Sequence, residues 1–597
     1  MAGTLFLMDP RTALAYDVGL MGLLSRVFRT KSLDSILRDS EAPGQSLKRT
    51  LGPVQLTSLG IGAIIGAGIF ATVGSAAAGD AHRPGAGPAI IISFIITAIA
   101  CAFCALCYAE LASLIPISGS AYTYSYATMG EMVAWIIGWD LIIEYAIGNV
   151  AVAISWAGYF NELIRGIQIG GVNLEIPMWL RSDLHTALGC RSLMSGPLAD
   201  IGADRLASCQ TLLAGAPHIG SYPFVMNLPA VMIVALLTVI LVIGVRESAW
   251  FNSAMVVLKL LILAFVVIVG FKYVRPENWR PFSPGGWPGI QAGAAVIFFS
   301  YIGFDAVSTA AEETKNPKRD LPIGLIASLI ICTIIYIGVA AVLTGMLPSV
   351  DLNTAEPLAK AFSANGVDWA AGIISLGAVV AMTAVLLVFQ LGQPRILFSM
   401  SRDGLLPKYF GRVHPKFRTP HVGTILTGVF VAVGASVSPL SDVVDLTNIG
   451  TLFAFVLVCA GVIILRATDP HRVRPFRMPW LPLTPGWIAF LWIVVTGYRS
   501  GAIQSLPLTI GVAAICLSGL GMNAAALTNR LRGRVTPEWM RTDLALAGIG
   551  TCFYLMAGLP MVTWLRFGYW LAAGLLIYFL YGFHRSRLAR NPETSGT

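Results

Sequence analysis

Leu59-Gly60-Ile61-Gly62-Ala63-Ile64-Ile65-Gly66-Ala67-Gly68-Ile69-Phe70 sets four glycines inside an apolar run, and its reading decides the fold. A second run, Phe298-Phe299-Ser300-Tyr301-Ile302-Gly303-Phe304-Asp305, is interrupted in a similar way. Each reads as a helix broken inside a membrane. In hydrocarbon every backbone N–H and C=O needs a partner, so a helix unwinds only where protein or a water-filled cavity satisfies the freed groups. Unwound backbone at that depth is a candidate binding site.

The composition requires a membrane. Of 597 residues, 56% are hydrophobic and 12% charged, and the mean hydropathy is +0.74, too apolar to cover a soluble surface. Runs of about 20 apolar residues recur along the chain, about fourteen of them, each long enough to cross a core of roughly 30 Å. The expected fold is therefore an all-α polytopic membrane protein. A formal charge of +9 does not point to nucleic acid, because the basic residues are scattered through the connections. With a cytoplasmic N-terminus, the loops and tails on that side hold about 28 Lys and Arg against about 11 on the other. The expectation is a multi-pass protein of the cytoplasmic membrane with both termini inside.

Residues 1–50 read as a basic cytoplasmic arm. Spans one to five fall within 51–273 and spans six to ten within 274–466, with the first near 56–77, the third near 132–164, the fifth near 250–273 and the sixth near 289–311. The two broken spans, one and six, thus hold matching places in two sets of five. That is the pattern of an inverted repeat whose half-helix ends hold a substrate near the midplane. Glycine is also common at packing faces of membrane helices, so one interruption carries little and two in register carry more. Residues 467–583 supply about four further helices and 584–597 a cytoplasmic tail. The connection 165–222 reads as a cap on the outer side, where Cys190 and Cys209 could pair; their spacing leaves that open. Cys101, Cys104 and Cys107 read as small packing residues, and no metal or cofactor is called for.

Ionisable side chains inside spans cost about 2.5 to 3.5 kcal/mol each at the helix centre and need a reason to be there. Glu144 is roughly 18 Å into span three by helical rise, where a carboxylate suits a cationic group or a proton. Lys259 is roughly 12 to 14 Å into span five; it reads as a group that gains and loses a proton, as a fixed internal cation, or as a lysine snorkelling to the interface. Asp305 reads as a group that caps or pairs freed backbone, and Asp320 as the N-cap of span seven with Pro322 in its first turn. No phosphate-binding loop and no nucleophile with a neighbouring histidine is visible, which argues against an enzyme and against ATP-driven pumping.

Four ordered motifs, Gly60 to Phe70, Phe299 to Ser308, Glu312 to Pro322 and Arg395 to Gly404, together resemble the amino acid-polyamine-organocation superfamily. Within it they are most similar to the bacterial-type members of the cationic amino acid transporter subfamily. The resemblance implies a leucine-transporter-type 5+5 inverted repeat with alternating access. It also implies a site in which the substrate carboxylate meets the amides of Gly66, Ala67 and Gly68, at the positive end of a half-helix. The substrate ammonium would meet carbonyls near Ile64 and at Phe299, Ser300 and Ile302. Phe299 would close over it, Glu144 would sense the side chain, Met382 would form a wall, and Lys259 would carry proton coupling in place of a sodium ion. The residues 486–550 depart from the shorter bacterial pattern, and the resemblance assigns them no task.

The expected function is secondary active uptake of cationic or small neutral L-amino acids by proton symport. Voltage-driven uniport or exchange of cationic amino acids remains open, because one charge gains about 2.3 kcal/mol per 100 mV. A polyamine or organic-amine carrier would use the same scaffold, and a channel or membrane receptor is the reading outside transport. The expected partners are the amino acid, protons and the bilayer.

Overall fold

The computed structural model describes residues 27, 29–31, 50–80, 83–115, 120–165, 168–169, 172–173, 175–195, 203–220, 222–244, 249–501, 503, 505–590 and 595–596. Most of the basic arm 1–50 and the link Arg246-Glu247-Ser248 lie outside the described residues.

The first apolar run folds as α1 (Pro53–Ile64), a π-helical turn (Gly68–Thr72) and α2 (Val73–Ala78). Its two parts are bent by 41°. Next come α3 (Ile90–Leu114) and the short α4 (Ser120–Thr128). Glu131–Ile142 (α5) and Gly148–Arg165 (α6) make one long span around a π-helical turn at Ile143–Ile147. Two helices of the cap follow, α7 (Leu184–Met194) and α8 (Ala203–Gly215), then α9 (Leu228–Ile243) and α10 (Ala249–Gly270). The second interrupted run gives α11 (Gly286–Ile297), a 3₁₀ turn at Phe298–Ser300, an irregular stretch and the single turn α12 (Ala306–Thr309).

Beyond it lie α13 (Pro317–Met346), α14 (Pro357–Ala364), α15 (Asp368–Arg402), α16 (His421–Val437) and α17 (Leu440–Thr468). The C-terminal part adds α18 (Thr484–Arg499), α19 (Leu506–Leu531), α20 (Asp543–Met556) and α21 (Met561–Ile577). Among the described residues, eight helices are long and apolar enough to cross a membrane, or nine with the bent pair counted as one span. The other elements of the expected fourteen are shorter, including the sixteen-residue α18.

The helices pack in two groups. In one, α13 lies against both α1 and α3; in the other, α15 lies against α6 and α9 against α16. Between them, α10 touches α1, α13 and α15. At one end the chain before α1 is tied to the chain after the second break: the amides of Thr50 and Leu51 donate to the Glu313 carbonyl, and the Lys315 amide donates to that of Leu51.

The start of α13 corrects the sequence reading. The helix begins at Pro317 after Asn316, four residues ahead of expectation, so Asp320 lies within the first turn and Pro322 inside the helix. Asp320 instead accepts the Asn316 amide at 3.3 Å. A proline suits the first turn because its missing N–H would have no partner there, and Pro317 fills that place rather than Pro322.

A buried ion pair fixes the C-terminal helices to this frame. Arg466 on α17 donates to Glu110 on α3 through Nε at 3.0 Å and to the Arg541 carbonyl at 2.7 Å. Behind it, α20 packs against both α17 and α3. A separate apolar cluster of Trp487, Val494, Val512, Cys516 and Tyr554 holds α18 and α19 to α20.

The cap is stapled. Cys190 and Cys209 form a disulfide between α7 and α8, and Ala187, Leu212 and Val225 are buried beside it. Asp183 caps α7 by accepting the Thr186 amide at 2.8 Å. Closing a loop of this length stabilises by about 3 kcal/mol, so Cys190→Ser should speed limited proteolysis within 166–227 under non-reducing conditions. An unchanged digestion rate would show that the cap does not depend on the bond.

Candidate functional site

The two breaks meet. A Cβ built on Gly68 would lie 2.3 Å from the Ser300 Cα, and one on Gly303 would lie 2.9 Å from the Ala63 carbonyl oxygen. Gly303 also has φ of +112°, a conformation side chains resist. Only glycine lets the backbones approach this closely.

Freed backbone groups have to be paired, and side chains from other helices pair most of the carbonyls. Lys259 Nζ on α10, fully buried, donates to the carbonyls of Gly62 at 2.7 Å and Ile65 at 3.0 Å. Tyr336 on α13 donates to the Ile64 carbonyl at 3.1 Å. Tyr159 on α6 donates to that of Phe70 at 2.5 Å. At the second break, the Asn448 amide on α17 donates to Ala295 at 2.8 Å and Val296 at 3.1 Å.

The amides are a different matter. Gly66, Ala67 and Gly68 open the second half of the bent helix, where N–H groups have no intrahelical acceptor, and no side chain caps them. Against them stands Ser300, whose buried hydroxyl has no hydrogen-bond partner in the protein. Amide donors at the positive end of a helix beside an unpaired hydroxyl can take a carboxylate or another anionic or polar group.

The remaining expected site residues distribute around this junction. Phe299 is buried next to Ser300, with Ile302 two residues further on. Met382 on α15 is fully buried one turn before Val385, whose side chain lies 3.1 Å from where a Gly66 Cβ would be. Glu144 sits in the π-helical turn of the α5–α6 span, a local irregularity common at functional sites. It is buried, and its carboxyl neighbours that of Asp305.

Asp305 departs from expectation. It lies beside the Gly303 and Ala306 amides but outside hydrogen-bonding geometry with them: it makes no cap on α12, and neither oxygen has a partner. Tyr336 and Asn448 were not expected at the site; a hydroxyl or an amide in an otherwise apolar span was the available signal.

A cavity of about 240 Å³ adjoins the junction from one end, lined in part by Thr72, Val296, Asn353 and Val444. At its rim Arg83 bridges Asp80 and Asp445, each at 2.7 Å. Burial works against the Arg83 charge, but the two aspartates hold its pKa above the ordinary value. The opposite end is where Leu51 pairs with Thr314.

Two sequence models match the chain: that of the amino acid permease family over residues 51–503, and that of the permease C-terminus over 545–586. The chain belongs to the amino acid permease family. This permease is 40% identical to a methylthioribose transporter of Bacillus subtilis over 95% of its own length and all of that protein's. It is 39% identical to a branched-chain amino acid permease of the same organism, over 94% and 99% of the two chains. With a chloroplastic cationic amino acid transporter of Arabidopsis thaliana it shares 34% identity over 92% of each chain. Family and relatives are membrane transporters rather than enzymes, and the permease is a multi-pass membrane protein.

Proposed function

We propose that the permease takes up an L-amino acid across the cytoplasmic membrane by alternating access, with both termini cytoplasmic. The observation that carries this reading is the junction of the two breaks, where side chains from other helices pair the carbonyls of Gly62, Ile64, Ile65, Ala295 and Val296 while the first-turn amides and the Ser300 hydroxyl remain to meet a ligand. The substrate carboxylate takes the amides of Gly66, Ala67 and Gly68. Its ammonium takes the second lone pair of the Ile64 carbonyl and carbonyls at Phe299, Ser300 and Ile302, and Phe299 and Met382 enclose the side chain.

The architecture follows the same reading. Residues 51–273 and 274–466 form the two five-span repeats, and 467–583 complete fourteen spans. The cavity beside Arg83 and Asp445 is the outer approach, and the Leu51 to Thr314 pairing closes the inner one.

Glu144, with the Asp305 carboxyl as its neighbour, favours a cationic side chain. Glu144→Gln should weaken lysine or arginine uptake about tenfold while changing alanine uptake little, since a hydrogen bond to a charged group contributes about 1.5–3 kcal/mol. Equal losses would remove its sensing role. Proton symport is assigned to Lys259, but its two short bonds to carbonyls also suit a fixed internal cation. That observation favours the second reading, voltage-driven uniport or exchange.

Uptake of a panel of radiolabelled amino acids, with methylthioribose included because of the relative so named, tests both readings. In proteoliposomes with pH gradient and voltage varied separately, symport predicts accumulation driven by pH alone. Accumulation driven only by voltage, and only for cations, selects uniport.

A further inference from the structure

The segment 486–550 ends in a concentration of positive charge that the transport site does not use. Arg466, Arg472, Arg474 and Arg477 come from the end of α17 and the chain after it. Arg530, Arg532, Arg534 and Arg541 come from the end of α19 and its connection to α20. The two stretches are joined by the bond from Arg466 to the Arg541 carbonyl and by the ion pair of Glu538 with Arg477, while Glu538 also pairs with Arg541 within its own stretch.

Carboxylates are too few here. Glu110 is engaged by Arg466 and by the Met478 amide at 2.9 Å. Arg474, 4% exposed, reaches Glu110 only at 3.3 Å, and its Nε lacks a hydrogen bond. Glu538 is shared between two arginines, and Asp469 pairs with Arg472 at 3.5 Å. The excess has an electrostatic consequence. Burial, followed by the nearby Arg466, Arg541 and Arg474, pushes the Arg477 guanidinium below its ordinary pKa. An anion at this place would relieve that repulsion.

The surroundings indicate which anion. Val473 is 85% exposed, Leu531 79% and Val535 89%, with Trp539 half-exposed among them. Apolar side chains interleaved with guanidiniums at the ends of membrane helices match a molecule with a phosphate and acyl chains, whereas a free ion would leave them in water. Basic residues next to spans attract anionic lipid by about 1 kcal/mol each, and arginine holds phosphate through two parallel bonds.

We infer that the arginine cluster where 466–477 meets 530–541 binds the phosphate headgroup of an anionic phospholipid. On this view the α18–α19 pair completes a lipid site that secures the C-terminal helices to α3 and α17. Scattered positive charge that merely sets membrane orientation would not require two distant segments to converge.

The test is lipid retention by the purified full-length permease in neutral detergent, measured by native mass spectrometry with phosphatidylglycerol, cardiolipin or phosphatidylcholine at equal concentrations. The quadruple variant Arg477→Gln/Arg530→Gln/Arg532→Gln/Arg534→Gln is compared with Lys318→Gln/Lys408→Gln/Arg412→Gln/Lys416→Gln, which removes equal charge from other exposed positions. The expected result is about tenfold preference for the anionic lipids in the parent and the control, lost in the cluster variant. Should that variant fold poorly, Arg530→Gln/Arg534→Gln, both exposed, should still lower retention by at least about twofold. Equal retention by cluster and control variants, or no preference over phosphatidylcholine, overturns the assignment. Displacement of the lipid by millimolar inorganic phosphate also overturns it, by making the site one for free phosphate.

Discussion

Gly68→Ala should reduce uptake by about five- to a hundredfold, because the added methyl would lie 2.3 Å from the Ser300 Cα and overpacking of this kind costs about 1–3 kcal/mol. Backbone cannot turn aside as a flexible side chain does. The two breaks must move apart, and the amides of Gly66, Ala67 and Gly68 lose their register with Ser300. Gly568→Ala on α21 supplies the comparison, since nothing lies within 4 Å of its added methyl; it should transport normally. Initial uptake rates, normalised to monodisperse protein on gel filtration, check both. Parental transport by Gly68→Ala would mean that the contact between the breaks has no part in the cycle.

Lys259→Met should have the second large effect. It removes the donor to the Gly62 and Ile65 carbonyls, leaving buried acceptors that cost about 1–3 kcal/mol each when unpaired. Thermal stability should fall accordingly. If Lys259 also carries the coupled proton, a pH gradient should no longer drive accumulation, while counterflow of preloaded substrate persists at reduced rate. Scintillation counting of proteoliposomes under an imposed gradient measures the first, and exchange without a gradient the second. Accumulation as in the parent would leave the lysine a purely structural role. Loss of both activities in well-folded protein would place it in the substrate site rather than in coupling.

What could be read in the sequence follows from how local each signal is. The four glycines from Gly60 to Gly68 announce an interrupted helix without tertiary knowledge, because glycine at that density in an apolar run weakens the helix wherever it packs, and Gly303 marks the second interruption with a single glycine beside Ser300 and Asp305. That the interruptions touch, Gly68 on Ser300 and Gly303 on Ala63, depends on how distant helices pack. Lys259 stands out by depth alone, whereas its acceptors on α1 are nearly two hundred residues away. Asp305 shows the opposite failure: its place before a helical turn suggests a cap, and its carboxyl makes no capping bond there. The Asp320 reading fails for a local reason, because two prolines compete for the first turn and Pro317 takes it. The pairing of Cys190 with Cys209 stayed open because spacing alone does not bring two thiols together.

On the proposed reading a zwitterion is held by the first-turn amides beside Ser300. The most direct measurement is counterflow competition in proteoliposomes, comparing an amino acid that the permease transports with the same molecule lacking its α-carboxylate. The intact amino acid should compete fully, and its decarboxylated form should fail at a concentration about a hundredfold higher, a difference of roughly 3 kcal/mol. Equal competition by the two, or counterflow driven by methylthioribose as strongly as by any amino acid, would contradict that reading.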